Sequence, residues 1–121
     1  MITGFEDIVY MENLIVYQKM LELTEYAYIA LRQFPKSEKF GLAGDIKNQI
    51  YTVLRLMIAA NKRYYKKTTI QDMDIEHEVL RRQIEMAKNL EFLPFKKFAI
   101  LIEKVDEVGR LIGGWKKKIN K

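Results

Sequence analysis

The sequence predicts an all-α fold, an antiparallel up-down-up-down four-helix bundle. Three observations predict it. Apolar residues recur at intervals of three and four through four long segments. Only two prolines and six glycines interrupt the 121 residues, and the breaks between the periodic segments are short. No stretch alternates apolar and polar residues between turn signals, as a half-buried strand would. Short connections make consecutive helices antiparallel neighbours, and residues 1–121 read as a single domain.

The first helix runs from about Ile8 to Gln33, with Leu14, Tyr17, Leu21, Tyr28 and Leu31 as its stripe. "FPKS" ends it, because the residue before Pro35 is pushed out of the helical region. Ser37 is the candidate N-cap of the second helix, with Glu38 facing the positive end of its dipole. That helix extends from about Glu38 to Tyr65 on a stripe of Ala43, Ile46, Ile50, Val53, Met57, Ala60 and Tyr64. After "KKTT", Thr68 and Gln71 have capping-box spacing for a third helix. Its stripe is Met73, His77, Leu80, Ile84 and Ala87, fading near Leu90. "EFLP" turns the chain into a fourth helix striped by Phe98, Leu101, Val105, Val108, Ile112, Trp115 and Ile119.

The first helix has more apolar surface than one core needs. "LIVY" (Leu14 to Tyr17) and "YAYIAL" (Tyr26 to Leu31) wrap more than half its circumference. A helix apolar on two sides is buried on two sides, either by a second copy of the chain or by the N-terminal arm around Phe5.

With no cysteines, disulfides and thiolate metal sites are excluded, and a reducing cytoplasm suits the chain. The N-terminus has neither the basic start nor the clean apolar run of a signal peptide, and no apolar run approaches the ~20 residues of a membrane span. The expectation is a cytoplasmic protein without a membrane partner. Charge is uneven: residues 1–60 hold six Lys/Arg against seven Asp/Glu, and residues 61–121 hold fifteen against nine, which sums to +5. A basic half points to a polyanionic partner.

Catalytic chemistry is hard to assemble. The only histidine, His77, follows Asp74 with carboxylate-x-x-His spacing. A di-iron bundle needs that motif twice, plus glutamates on two further helices, so His77 reads as a bundle-edge residue. Asp72, Asp74, Glu76 and Glu78 alternate along the start of the third helix, where acids complement the dipole. "GRLIGG" follows no strand and is not a phosphate loop. The sequence is therefore read as non-enzymatic, with no metal or other cofactor.

Basic residues form two groups. Lys62, Arg63, Lys66 and Lys67 end the second helix at the pole where Lys116, Lys117, Lys118 and Lys121 end the fourth. Tyr64, Tyr65 and Trp115 lie among them as stacking surfaces. Lysines at helix C-termini also offset the dipole without any ligand. Arg81, Arg82 and Lys88 run along the third helix, while Lys96 and Lys97 open the fourth, where positive charge opposes the dipole. These residues are the candidates for nucleic-acid or partner contact.

"EVGRLIGGWKKK" (Glu107 to Lys118) raises a separate question. Each helical glycine costs roughly 1 kcal/mol against alanine. Gly109 and Gly113 are four apart on one face, and Trp115 continues the apolar stripe. The three are assigned to close packing, within the bundle or between subunits, and Gly114 is a point where the helix loosens or ends.

"FPKSEKFGL" (Phe34 to Leu42), "LEFLPFKKF" (Leu90 to Phe98) and "EVGRLIGGWKK" (Glu107 to Lys117) closely resemble the accessory variability determinant (Avd) proteins of diversity-generating retroelements. The resemblance spans nearly the whole chain. It implies a barrel-like homopentamer with a basic surface and no catalysis of its own. It also implies partners: the retroelement's reverse transcriptase and its template RNA, with DNA a second candidate, in support of mutagenic cDNA synthesis. "FPKSEKF" also occurs in four-helix proteins of ribosomal RNA intervening sequences, but those continue toward an "NIAEG"-like end where this chain has "IAANKRYY" (Ile58 to Tyr65). That type, and a structural oligomer that binds no nucleic acid, are the alternatives.

Overall fold

The computed structural model describes residues 5–119, with side chains described from residue 13 onward. Phe5 as a cover for the first helix, and Lys121 as part of the basic pole, lie outside what is described. Four helices are present, α1 (Phe5–Leu31), α2 (Leu42–Lys62), α3 (Lys67–Asn89) and α4 (Phe95–Ile119), and no strand occurs among the described residues. No described helix is long and apolar enough to cross a membrane.

α1 and α3 each pack against α2 and α4, so the helices form a square with α1 diagonal to α3. The direction of each helix follows from its side-chain contacts. Asn13 meets Asn61 and Tyr28 meets Tyr51 across α1 and α2. Asp74 meets Lys116 and Arg81 meets Asp106 across α3 and α4. In each pair, moving forward on one helix moves backward on the other. Phe34 and Phe92, from the first and third connections, stack 5.8 Å apart at one pole, as an up-down-up-down order requires.

The apolar stripe expected of α3 is buried as read, as are the α2 stripe from Ala43 to Ala60 and the α4 stripe from Leu101 to Trp115. α1 differs by one residue of register. Its core face is Val16, Met20, Leu23, Ala27 and Ala30, while Leu14 and Leu21 are exposed and Tyr17 and Tyr28 half-buried; of the expected stripe only Leu31 is buried. A helix apolar on two faces offers two stripes, and the aromatic one is the outer of the two.

Several ends also differ from the sequence expectation. Lys36–Glu38 form a 3-10 turn after Pro35, and α2 starts only at Leu42, so Ser37 caps no α-helix. Gly41 is the N-cap, and a Cβ there would lie 2.6 Å from a Glu38 carboxylate oxygen. Glycine thus leaves room for Glu38 to lie over the helix start, 3.5 Å from the Leu42 N–H. α2 stops at Lys62, three residues early, because Arg63 is extended. α3 begins at Lys67, which places Thr68 inside the helix, and no capping box forms. At its other end, the Phe92 N–H donates to the Ala87 carbonyl and the Glu91 N–H to Lys88, a Schellman closure. Glu91 adopts the left-handed conformation this closure requires, with φ of 63°.

Candidate nucleic-acid interface

The early stop of α2 creates the most distinctive surface of the molecule. Residues 63–66 bridge two helices, and the extended backbone at Arg63 throws Tyr64 and Tyr65 outward. Tyr64, expected in the α2 core stripe, is instead 88% exposed, and Tyr65 is 85% exposed. Their rings meet edge to face at 4.9 Å. The Lys66 ammonium donates to the Ala60 and Asn61 carbonyls at 2.6 and 3.2 Å, capping the end of α2. Arg63 donates to the buried Thr69 hydroxyl at 2.8 Å. These two cations shape the loop. Lys62 and Lys67 are exposed and have no ion-pair partner among the described residues.

The end of α4 shares this pole, since the Lys116 ammonium reaches Asp74 at 3.2 Å near the start of α3. Lys116 is therefore partly neutralised, while Lys117 is exposed.

Along the side of the bundle, Arg81 and Arg82 are held by acids. Arg81 donates to Asp106 at 2.8 Å and to Glu85. Its hydrogen bond to Asp106 raises the guanidinium pKa further, so it is a permanent cation. Arg82 contacts Glu78 at 3.0 Å and Glu85 at 3.5 Å. Two cations thus face three carboxylates. Lys88 covers the Phe98 ring at 4.7 Å, and Lys96 and Lys97 sit in the first turn of α4 at the opposite pole. The candidate residues form no single patch. Lys62, Arg63, Lys66, Lys67, Lys116 and Lys117 share one pole, Lys88, Lys96 and Lys97 the other, and Arg81 and Arg82 lie between.

The sequence reading missed Phe40, which is fully exposed beside Gly41 near the second pole. Its only signal was an aromatic residue inside a turn, between a lysine and a glycine.

His77 is a core residue rather than an edge residue, only 5% exposed. Its Nε2 lies 2.8 Å from the Val105 carbonyl. A carbonyl only accepts, so Nε2 carries the proton, and Nδ1 is bare with no hydrogen-bond partner among the described residues. Burial lowers the His77 pKa, against the Val105 hydrogen bond and the charges of Asp74, Glu78 and Asp106. No group of three or more His, Asp or Glu side chains among the described residues is arranged to hold a metal ion.

With this geometry in hand, comparison with known families is decisive. A family model described as bAvd-like matches residues 14–119. The chain belongs to the bAvd-like family. No significant match to a curated protein is found.

The matched span of this bAvd-like chain includes the glycine–tryptophan segment. Trp115 is buried in the core, as assigned. Gly109 packs on α3, where a Cβ would sit 3.5 Å from the His77 ring. Of the two contacts expected of Gly113, within the bundle or between subunits, the first is not made among the described residues: a Cβ there, or at Gly114, would meet nothing described within 4 Å. α4 also runs on unbroken to Ile119, so Gly114 neither loosens nor ends it.

Proposed function

We propose that this bAvd-like protein is a non-catalytic, cytoplasmic accessory subunit of a diversity-generating retroelement. In this reading it assembles as a homopentameric barrel and binds the reverse transcriptase and the template RNA, supporting mutagenic cDNA synthesis. Family membership supports the system and the polymerase partner. The observation that carries RNA contact is the α2–α3 loop, where two outward tyrosines are flanked by Lys62 and Lys67, cations with no acid partner among the described residues. Unpaired bases stack on exposed aromatic rings while the lysines neutralise adjacent phosphates. Pentamerisation would repeat the loop five times.

The remaining cations take graded roles. Arg63 and Lys66 hold the loop and add charge, and Lys116 and Lys117 extend the same pole. Arg81 and Arg82 contact polyanion only after exchanging their carboxylate partners, so they contribute less. Lys88, Lys96 and Lys97, at the far pole, suit an acidic surface of the polymerase. One observation favours a purely structural oligomer: Lys66 caps α2 and Arg81 and Arg82 are paired, so part of the positive charge already has an internal use.

Fluorescence anisotropy with a single-stranded template RNA across a salt series separates the two. Affinity should fall linearly on a log–log plot, with a slope of about −0.7 per neutralised phosphate. Lys62→Ala with Lys67→Ala should make that slope shallower by roughly 1.4. Tyr64→Ala with Tyr65→Ala should weaken binding by about 1–3 kcal/mol per stacked base with the slope unchanged. Negligible binding at low salt would leave the structural oligomer standing.

A further inference from the structure

α1 exposes apolar surface that its own bundle does not cover, and the structure shows where it lies. Leu14 and Leu21 remain exposed on the side of α1 facing α2, where Tyr17 and Tyr28 are half-buried. α2 meets them with Tyr51 and Ile58, both about half exposed. Leu14, Tyr17 and Ile58, with Asn13, Asn61 and Lys62, line a groove of about 210 Å³. A second apolar surface lies on α3. Ile75, Val79 and Met86 are all exposed, and spacings of four and seven put them on one helix face. The acids at the start of α3 concealed this stripe in the sequence.

The charges around the two surfaces are mostly opposite; Arg82, beside Val79 on the stripe, is the cation there and is held by Glu78 and Glu85. Arg55 and Lys62 line the outer side of the α2 edge, exposed and without ion pairs among the described residues. Asp72 and Glu78 flank Ile75 and Val79; Asp72 is exposed and unpaired among the described residues, and Glu78 touches only Arg82. Groove against groove would set Arg55 and Lys62 against the same residues of another copy. Groove against stripe sets Arg55 against carboxylates, leaves Lys62 at the rim beside the α2–α3 loop, and buries Ile75 and Val79 on Leu14, Leu21 and Ile58. Complementary charge selects the second pairing, because like charges placed face to face cost several kcal/mol.

We infer that the α1–α2 groove of one protomer receives the outer α3 stripe of a second copy of this chain. The inference rests on the homo-oligomeric reading above and supplies its interface. The contact is heterologous, so an open chain of copies keeps one free groove at one end and one free stripe at the other until the assembly closes. Both surfaces flank α2 and therefore lie on adjacent sides of the square bundle. Successive copies turn relative to one another, which favours closure over an endless fibre.

The test uses Ile58→Glu in the groove and Val79→Glu in the stripe, two acids so that the altered faces cannot rescue each other. Wild-type protein should run as an oligomer by light scattering. Each variant alone should be monomeric, and an equal mixture should give a dimer of twice the monomer mass, built from the one intact groove and the one intact stripe. A monomeric wild type would overturn the oligomeric reading itself. An oligomeric wild type whose variants also stay oligomeric would overturn only the choice of faces. Monomeric variants that fail to pair on mixing would overturn the groove-to-stripe contact. Should either glutamate variant lose its helical circular dichroism, Ile58→Cys chains mixed with Val79→Cys chains decide the matter, since the protein has no other cysteine. A short bis-maleimide should then give a mixed crosslinked dimer, and its absence would reject the contact.

Discussion

Replacing Gly113 and Gly114 with alanine should stabilise the protein. Both residues lie inside α4, neither has a positive φ, and a Cβ at either would meet no atom of the described residues within 4 Å. The change therefore meets no steric opposition and removes only the backbone freedom that glycine gives the unfolded chain. Each alanine is worth up to about 1 kcal/mol in a helix interior, so the double variant should gain roughly 2 kcal/mol. For a chain of this size, that corresponds to a rise in melting temperature of roughly 8 °C. Circular dichroism melts of both proteins at equal concentration read it directly. Gly109→Ala is the internal control: its Cβ would sit 3.5 Å from the His77 ring, an ordinary contact, and it should gain no more than either of the others. An unchanged or lowered melting temperature for the double variant would refute the reasoning. It would mean that the backbone at residues 113–114 makes a close contact beyond its own bundle.

Three further outcomes follow from particular side chains. Glu91→Gly should stabilise the protein by about 1 kcal/mol in urea titrations, because glycine adopts the left-handed conformation at φ of 63° without a Cβ penalty. Leu23→Ala should cost about 2–5 kcal/mol and Leu21→Ala at most about 1, measured at concentrations that keep the chain monomeric, since only Leu23 is fully buried. His77 should make stability pH-dependent. Burial lowers its folded pKa below the ordinary histidine value of 6.5, so below that pH the unfolded chain takes up a proton that the folded one refuses. Stability should stay level above about 6.5 and fall by up to about 1.4 kcal/mol per pH unit below it. The fall should end once the folded pKa is passed, and urea midpoints in His77→Gln protein should lack it.

Much of the bundle could be read from residue spacing, because α2 and most of α4 each carry a single apolar stripe against a polar background, and the core stripe of α3 is longer and more regular than its outer one. α1 could not be placed by that logic. Two apolar faces satisfy the same period, and only packing against α2 and α4 decides between Val16–Met20–Leu23 and Leu14–Tyr17–Leu21. The helix ends were misplaced where backbone conformation, not side-chain chemistry, sets them. Gly41 and Lys66 are the N-caps without donating a capping oxygen, and Ser37 and Thr68, the expected caps, do no such work. The basic pole was legible from charge and helix direction alone. Which of its cations remain available was not, since pairs such as Arg81 with Asp106 join residues far apart in sequence. Likewise, the outward Tyr64 depends on α2 stopping at Lys62, which no local signal announces.

The most direct test of the accessory role is cDNA synthesis from a template-repeat RNA by the retroelement's own reverse transcriptase. The reaction is run with this protein, without it, and with the Lys62→Ala, Tyr64→Ala, Tyr65→Ala, Lys67→Ala variant. The account predicts full-length cDNA only when both proteins are present, none from this protein alone, and a clear loss with the loop variant. Equal cDNA yield whether or not this protein is present would contradict it.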